Sequence, residues 1–139
     1  MTTDIETKKN ESELVVITKT KNLCSYVMQV TQKSPKQFRF SYVGRMQNLA
    51  LSALENTIRA NELLVGGKHG IANYQRRYDY QREAITDIKL LMYFAEMSLG
   101  QNCILMRQFE QIAKQGTDCR NLLGAWINSD RKRFTPDAG

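Results

Sequence analysis

From Leu14 onward, apolar side chains recur every three or four positions, the spacing of one face of an α-helix. Leu14, Ile17, Cys24, Val27, Met28 and Thr31 form the first such run, and β-branched Val15, Val16, Ile17 and Thr18 weaken its opening turn. Ser34-Pro35 then reads as a helix start, because proline's missing N–H would lack an intrahelical partner there anyway. The spacing predicts a second helix to about Val65, with Phe40, Val43, Met46, Ala50, Leu54, Ile58 and Leu64 turned inward. Gly66-Gly67 stops it, since glycine tolerates the left-handed backbone of a helix C-terminus. After a linker from Gly66 to Asn73, a third run places Tyr78, Ile85, Met92 and Leu99 at heptad spacing with Ile88 and Ala95 between, closed by Gly100-Gln101-Asn102. The fourth run is unbroken: Leu105, Phe109, Ile112, Gly116, Cys119, Leu123 and Trp126 alternate by four and three, the seam of a bundle helix.

No alternating strand pattern competes with these runs. Four long helices joined by short connections predict an all-α fold, an antiparallel up-down-up-down four-helix bundle over residues 14–134. Residues 1–13 are polar, without apolar period, and are expected to form a disordered acidic arm. The tail from Asp130 to Gly139 is expected to fray, with 135–139 outside the bundle.

A chain of 139 residues is sized for one domain and buries enough surface to need neither metal nor disulfide. No run approaches the ~20 apolar residues of a membrane span, and no apolar core follows a basic start, so a cytosolic location is expected. Three cysteines, Cys24, Cys103 and Cys119, lack CxxC spacing and fit small buried hydrophobes better than a zinc site.

Charge changes the picture more. The formal net charge is +6, yet residues 1–13 hold four acids and two bases, so the remainder carries 18 bases against 10 acids, a net of +8. Such a body favours an anionic partner, although solubility alone also accounts for it.

Catalytic chemistry finds little support. The single histidine, His69, sits in a glycine-flanked linker, so a Ser-His-Asp or Cys-His arrangement has one residue to draw on. No Glu-x-x-His marks a di-metal bundle, and no GxxxxGK[ST] marks a phosphate loop. No enzyme activity, cofactor or metal is expected. The basic residues are better organised. Arg45 and Arg59 share a stripe of the second helix; Arg76, Arg77, Arg82 and Lys89 lie on the third; Arg107, Lys114 and Arg120 lie on the fourth, with Arg131, Lys132 and Arg133 at its end. Arg76, Arg77 and Arg82 are interleaved with Tyr74, Tyr78 and Tyr80, a combination that suits phosphate contact with base stacking. Plainer readings stand beside this one. Cations at a helix C-terminus are favoured by its dipole, the basic columns also fit ordinary solvated faces paired with Glu and Asp, and Tyr78 also belongs to the core heptad.

The segment Ser34-Pro35-Lys36-Gln37-Phe38-Arg39-Phe40, the Leu54-Glu55-Asn56 and Arg59-Ala60-Asn61 stretches, the Arg76-Arg77-Tyr78-Asp79-Tyr80-Gln81 segment and Trp126 together resemble the accessory variability proteins of diversity-generating retroelements. Those proteins are grouped with the four-helix-bundle proteins encoded by intervening sequences in bacterial 23S rRNA genes. The resemblance spans roughly Leu14 to Phe134. It implies a barrel-shaped homopentamer without activity of its own, binding a reverse transcriptase and its template RNA to support mutagenic cDNA synthesis. Arg59, Arg76 and Arg77 are the positions onto which the family's basic contacts carry over. The acidic arm and the His69 linker depart from the family pattern. A protein-interaction scaffold and an orphan rRNA-insertion protein of undefined role remain as alternatives.

Overall fold

The computed structural model describes residues 4–66 and 70–134, with side chains from residue 15 onward. It contains four long helices and, among the described residues, no strand: α1 (Asp4–Thr31), α2 (Gly44–Glu62), α3 (Gly70–Gly100) and α4 (Met106–Phe134). A short 3-10 turn, Lys36–Phe38, and a π-helical turn, Arg39–Val43, precede α2. No described helix is long and apolar enough to cross a membrane.

Several boundaries differ from expectation. Helix α1 begins at Asp4 rather than near Leu14, so most of the expected arm is helical backbone. Pro35 starts only the 3-10 turn, and regular α2 waits until Gly44. Helix α3 starts at Gly70, inside the expected linker, and α4 runs through the expected frayed stretch to Phe134. His69 and residues 135–139 lie outside the described residues.

The core follows strict four-three seams. In α1 it is Val16, Thr20, Leu23, Val27 and Val30; in α2 it is Met46, Ala50, Ala53, Thr57 and Ala60. The α2 interior is therefore small, which lets the helix approach its neighbours closely. Ile58 of α2 and Leu64, two residues past its end, are 40% and 78% exposed, contrary to the inward placement expected for them. Phe40, also expected inside, is 93% exposed. The buried threonines satisfy their hydroxyls by donating to the backbone one turn earlier, Thr20 to Val16 O at 2.8 Å and Thr57 to Ala53 O at 2.8 Å.

Between α2 and α3, Arg45 lies near Phe94, Met46 near Ser98, Ser52 and Asn56 near Asp87, and Leu63 near Arg77. Between α3 and α4, Met92 faces Gly116 and Arg77 faces Asp130. At Gly116 a Cβ would stand 3.0 Å from Met92 Sδ, so the glycine is what lets α4 press this close. The α3–α4 connection is set by Asn102, at φ 62°. Cys103 N–H donates to Ser98 O at 2.8 Å and Asn102 N–H to Leu99 O at 3.1 Å, the paired bonds of a Schellman cap.

Candidate nucleic-acid interface

Helix α3 buries Arg77, Gln81, Ala84, Ile88, Leu91, Ala95 and Ser98, and α4 buries Ile112, Gly116, Cys119, Leu123, Trp126 and Asp130. Both seams keep their four-three spacing while turning polar at one end, and the polar ends meet. Arg77 Nε donates to Asp130 Oδ2 at 2.7 Å and its Nη2 to Oδ1 at 3.0 Å, a two-pronged pair with side chains 7% and 1% exposed. Gln81 Nε2 adds a bond to Oδ2 at 3.0 Å, and Arg133 Nη2 one to Oδ1 at 2.6 Å. The Arg77 guanidinium also lies over the Trp126 ring at 4.8 Å and donates to Leu63 O at 3.4 Å, joining the end of α2 to the cluster. Burial pushes the Asp130 carboxyl above its ordinary range, while the Arg77 charge and the Arg77 and Gln81 hydrogen bonds pull it back. Burial likewise lowers the Arg133 guanidinium.

Two expected nucleic-acid contacts are thereby corrected. Arg77 is an interior residue committed to Asp130, and Arg133 is half-buried on the same carboxylate. The nearby tyrosines are corrected with them. Tyr74 packs on Phe134 with ring centroids 6.2 Å apart, and Tyr78 and Tyr80 pack against the core. The signal that reveals Arg77 is the seam itself: extended backward from Ile88 by four and three, it reaches Ala84, Gln81 and Arg77.

The other expected basic residues are at the surface. Arg45, Arg59, Arg76, Arg82, Lys89, Arg107, Lys114, Arg131 and Lys132 are exposed and Arg120 is half-buried. They are spread over three helices rather than gathered in one patch. Lys89 and Arg120 share a groove of about 330 Å³ between α3 and α4 with Tyr93, Glu96 and Phe109. Lys114 and Lys19 line a groove of about 430 Å³ between α1 and α4, together with amides, hydroxyls, Asp118 and Cys119. Arg82 lies with Glu83 and Asp87 in a third, of about 360 Å³, where acids offset it. Asp87 there accepts hydrogen bonds from Ser52 Oγ at 2.7 Å and Asn56 Nδ2 at 2.9 Å.

A stronger basic feature was missed because charge was averaged over the whole body. Between Leu14 and Leu54 there is no carboxylate, while Lys19, Lys21, Lys33, Lys36, Arg39 and Arg45 supply six cations, all exposed. From Val15 to the end of α1, through the connector and into the start of α2, the chain thus contributes cations and no carboxylate, although Asp118 of α4 lies across the groove from Lys19. Among the described aromatic residues, Phe40 and Tyr93 are the exposed ones, at 93% and 67%.

Among the described residues, no three His, Cys, Asp or Glu side chains converge as metal ligands. All three cysteines are free and buried, as their number and spacing led us to expect. Burial raises the Cys24 thiol, and lifts that of Cys119 to about 11 despite a hydrogen bond with Thr20. The chain matches no protein-family model and no curated protein.

Proposed function

We propose that this chain is a non-catalytic nucleic-acid-binding module, an antiparallel up-down-up-down bundle that holds RNA on its basic surface. The observation that carries the reading is the carboxylate-free stretch from Leu14 to Leu54, with its six exposed cations. A polyanion meets no carboxylate contributed by this stretch and releases counterions on binding its cations. The family resemblance supports the setting: an accessory subunit beside the reverse transcriptase of a diversity-generating retroelement, assembled as a homopentamer. Self-association has support of its own in Leu90, Tyr93 and Met97, exposed along one side of α3.

The test is RNA binding as a function of salt. Neutralising six phosphates on a single strand gives a log–log slope of about −4. Charge reversal at Lys36, Arg39 and Arg45 should flatten that slope without melting the bundle, because all three are exposed. Affinity unchanged between low and physiological salt rules the reading out. Sedimentation at micromolar concentration that shows only monomer removes the pentamer and leaves the RNA reading standing.

A further inference from the structure

Phe40 is a large apolar ring left almost wholly in water, at 93% exposure, in a protein that buries its other phenylalanines at least in part. Its position is imposed by the backbone. Arg39–Val43 is a π-helical turn, a rare form that occurs mostly as single turns and frequently at functional sites. Phe38 and Tyr42 pack inward against each other, ring centroids 5.9 Å apart, and Val43 is buried. Arg39, Phe40 and Ser41, between them, are left on the outer side. Gly44 closes the turn, its N–H meeting the Arg39 and Ser41 carbonyls, and a Cβ there would stand 3.2 Å from Arg39 O. The ring is therefore displayed by a turn anchored on both flanks.

Its surroundings point to one chemistry. Lys33, Lys36 and Arg39 are exposed and precede it by seven, four and one positions, and no carboxylate occurs within this part of the chain. A lone aromatic face inside a cationic surface is the arrangement that binds unpaired bases, where the ring stacks on a base and the cations hold the phosphates on either side. Its chain neighbours Gln37, Arg39 and Ser41 are all exposed and polar, and Phe38 and Tyr42 are half-buried against the core, so Phe40 is the one ring of this segment presented to water. We infer that Phe40 is a stacking platform for one unpaired base of a single-stranded nucleic acid, flanked by Lys36 and Arg39 as phosphate contacts. This rests on the proposed nucleic-acid function and assigns a place within it.

The experiment compares wild type, F40A and F40W against a fluorescent oligouridylate, an RNA duplex of matched length, and vesicles of phosphatidylcholine with phosphatidylglycerol. Because Phe40 is solvent-exposed, both variants should fold, which circular dichroism checks. F40A should weaken oligouridylate binding about 5- to 150-fold, the span expected for losing one stacked base, with an unchanged salt slope and little change on the duplex. The introduced indole of F40W, read over the Trp126 background, should be quenched by the single strand and not by the duplex. Equal affinity of F40A and wild type, or an indole unquenched by bound oligouridylate, overturns the inference and leaves the RNA reading intact. A wild type that binds no single strand sinks both. An indole that shifts to the blue on the vesicles while ignoring the oligonucleotide overturns the base in favour of a membrane.

Discussion

Replacing Asp130 by alanine would remove the acceptor of four hydrogen bonds and leave Arg77 charged at 6% exposure. Breaking a buried ion pair from one side costs about 3–5 kcal/mol, because the surviving charge has lost both water and partner. Domains of this kind are stable by about 5–15 kcal/mol, so this change consumes about a fifth of the total or more. With a urea m-value of about 2 kcal/mol/M, the midpoint should fall by about 1.5–2.5 M. Replacing both partners with apolar residues of similar size, Arg77→Met with Asp130→Leu, should recover part of the loss, since the fully interior Arg77 charge is gone while Arg133, 25% exposed, keeps its contact with water and Gln81 loses one acceptor. Arg76→Glu, one position away on the exposed side, should leave the midpoint within about 0.5 kcal/mol of wild type. Equilibrium urea unfolding of the four variants decides the matter. A loss below about 1 kcal/mol for Asp130→Ala would refute the reasoning. So would an Arg77→Met variant that keeps its midpoint and loses RNA affinity, for Arg77 would then be a ligand contact after all.

Two further outcomes follow from single positions. The Cys119 thiol is lifted to about 11 from an ordinary 9.0, so folding favours its protonated form. That contribution is complete below pH 9 and lost as the pH rises towards 11, on the order of 2–3 kcal/mol. Cys119→Ala should flatten this part of the stability–pH curve, and an unaltered curve would contradict it. At Asn102, alanine should lose about 1 kcal/mol and melt about 4 °C lower, because a Cβ without a local hydrogen-bonding side chain is disfavoured at φ 62°. Asn102→Gly should keep the wild-type melting temperature, and a melting curve in which alanine matches glycine would argue against the cap.

The helices were legible in the sequence because their apolar spacing is a local property. The α4 seam from Ile112 to Trp126 falls as its alternation required. Faces were harder to read wherever size and polarity misled. In α2, Leu54 packs against the core as its spacing predicts, but Ile58 is 40% exposed while Ala53 and Thr57 fill the interior. Leu105, placed at the head of the α4 seam, precedes the helix and is 54% exposed. Arg77 and Asp130 were read as surface and frayed tail because each is unthinkable inside alone. Their burial depends on a partner 53 positions away, which no local pattern shows. Phe40 was assigned to the core from its spacing, on the assumption of a regular helix. The π-turn shifts the phase of the chain just there, and the ring comes out on the other side.

The buried pair has a consequence for how the helices may move. Apolar seams of four-three spacing look alike from one turn to the next, so α4 could slide along α3 by one turn, about 5.4 Å, and still bury hydrocarbon. Asp130 and Arg77 mark one rung on that ladder: a slipped α4 would strand both charges in the interior at once. The pair therefore acts as a detent, and its contribution lies less in holding the helices together than in allowing only one axial setting between them. It sits where the end of α2 and the last turn of α4 come together, so a change at any of the three helices is felt by the other two.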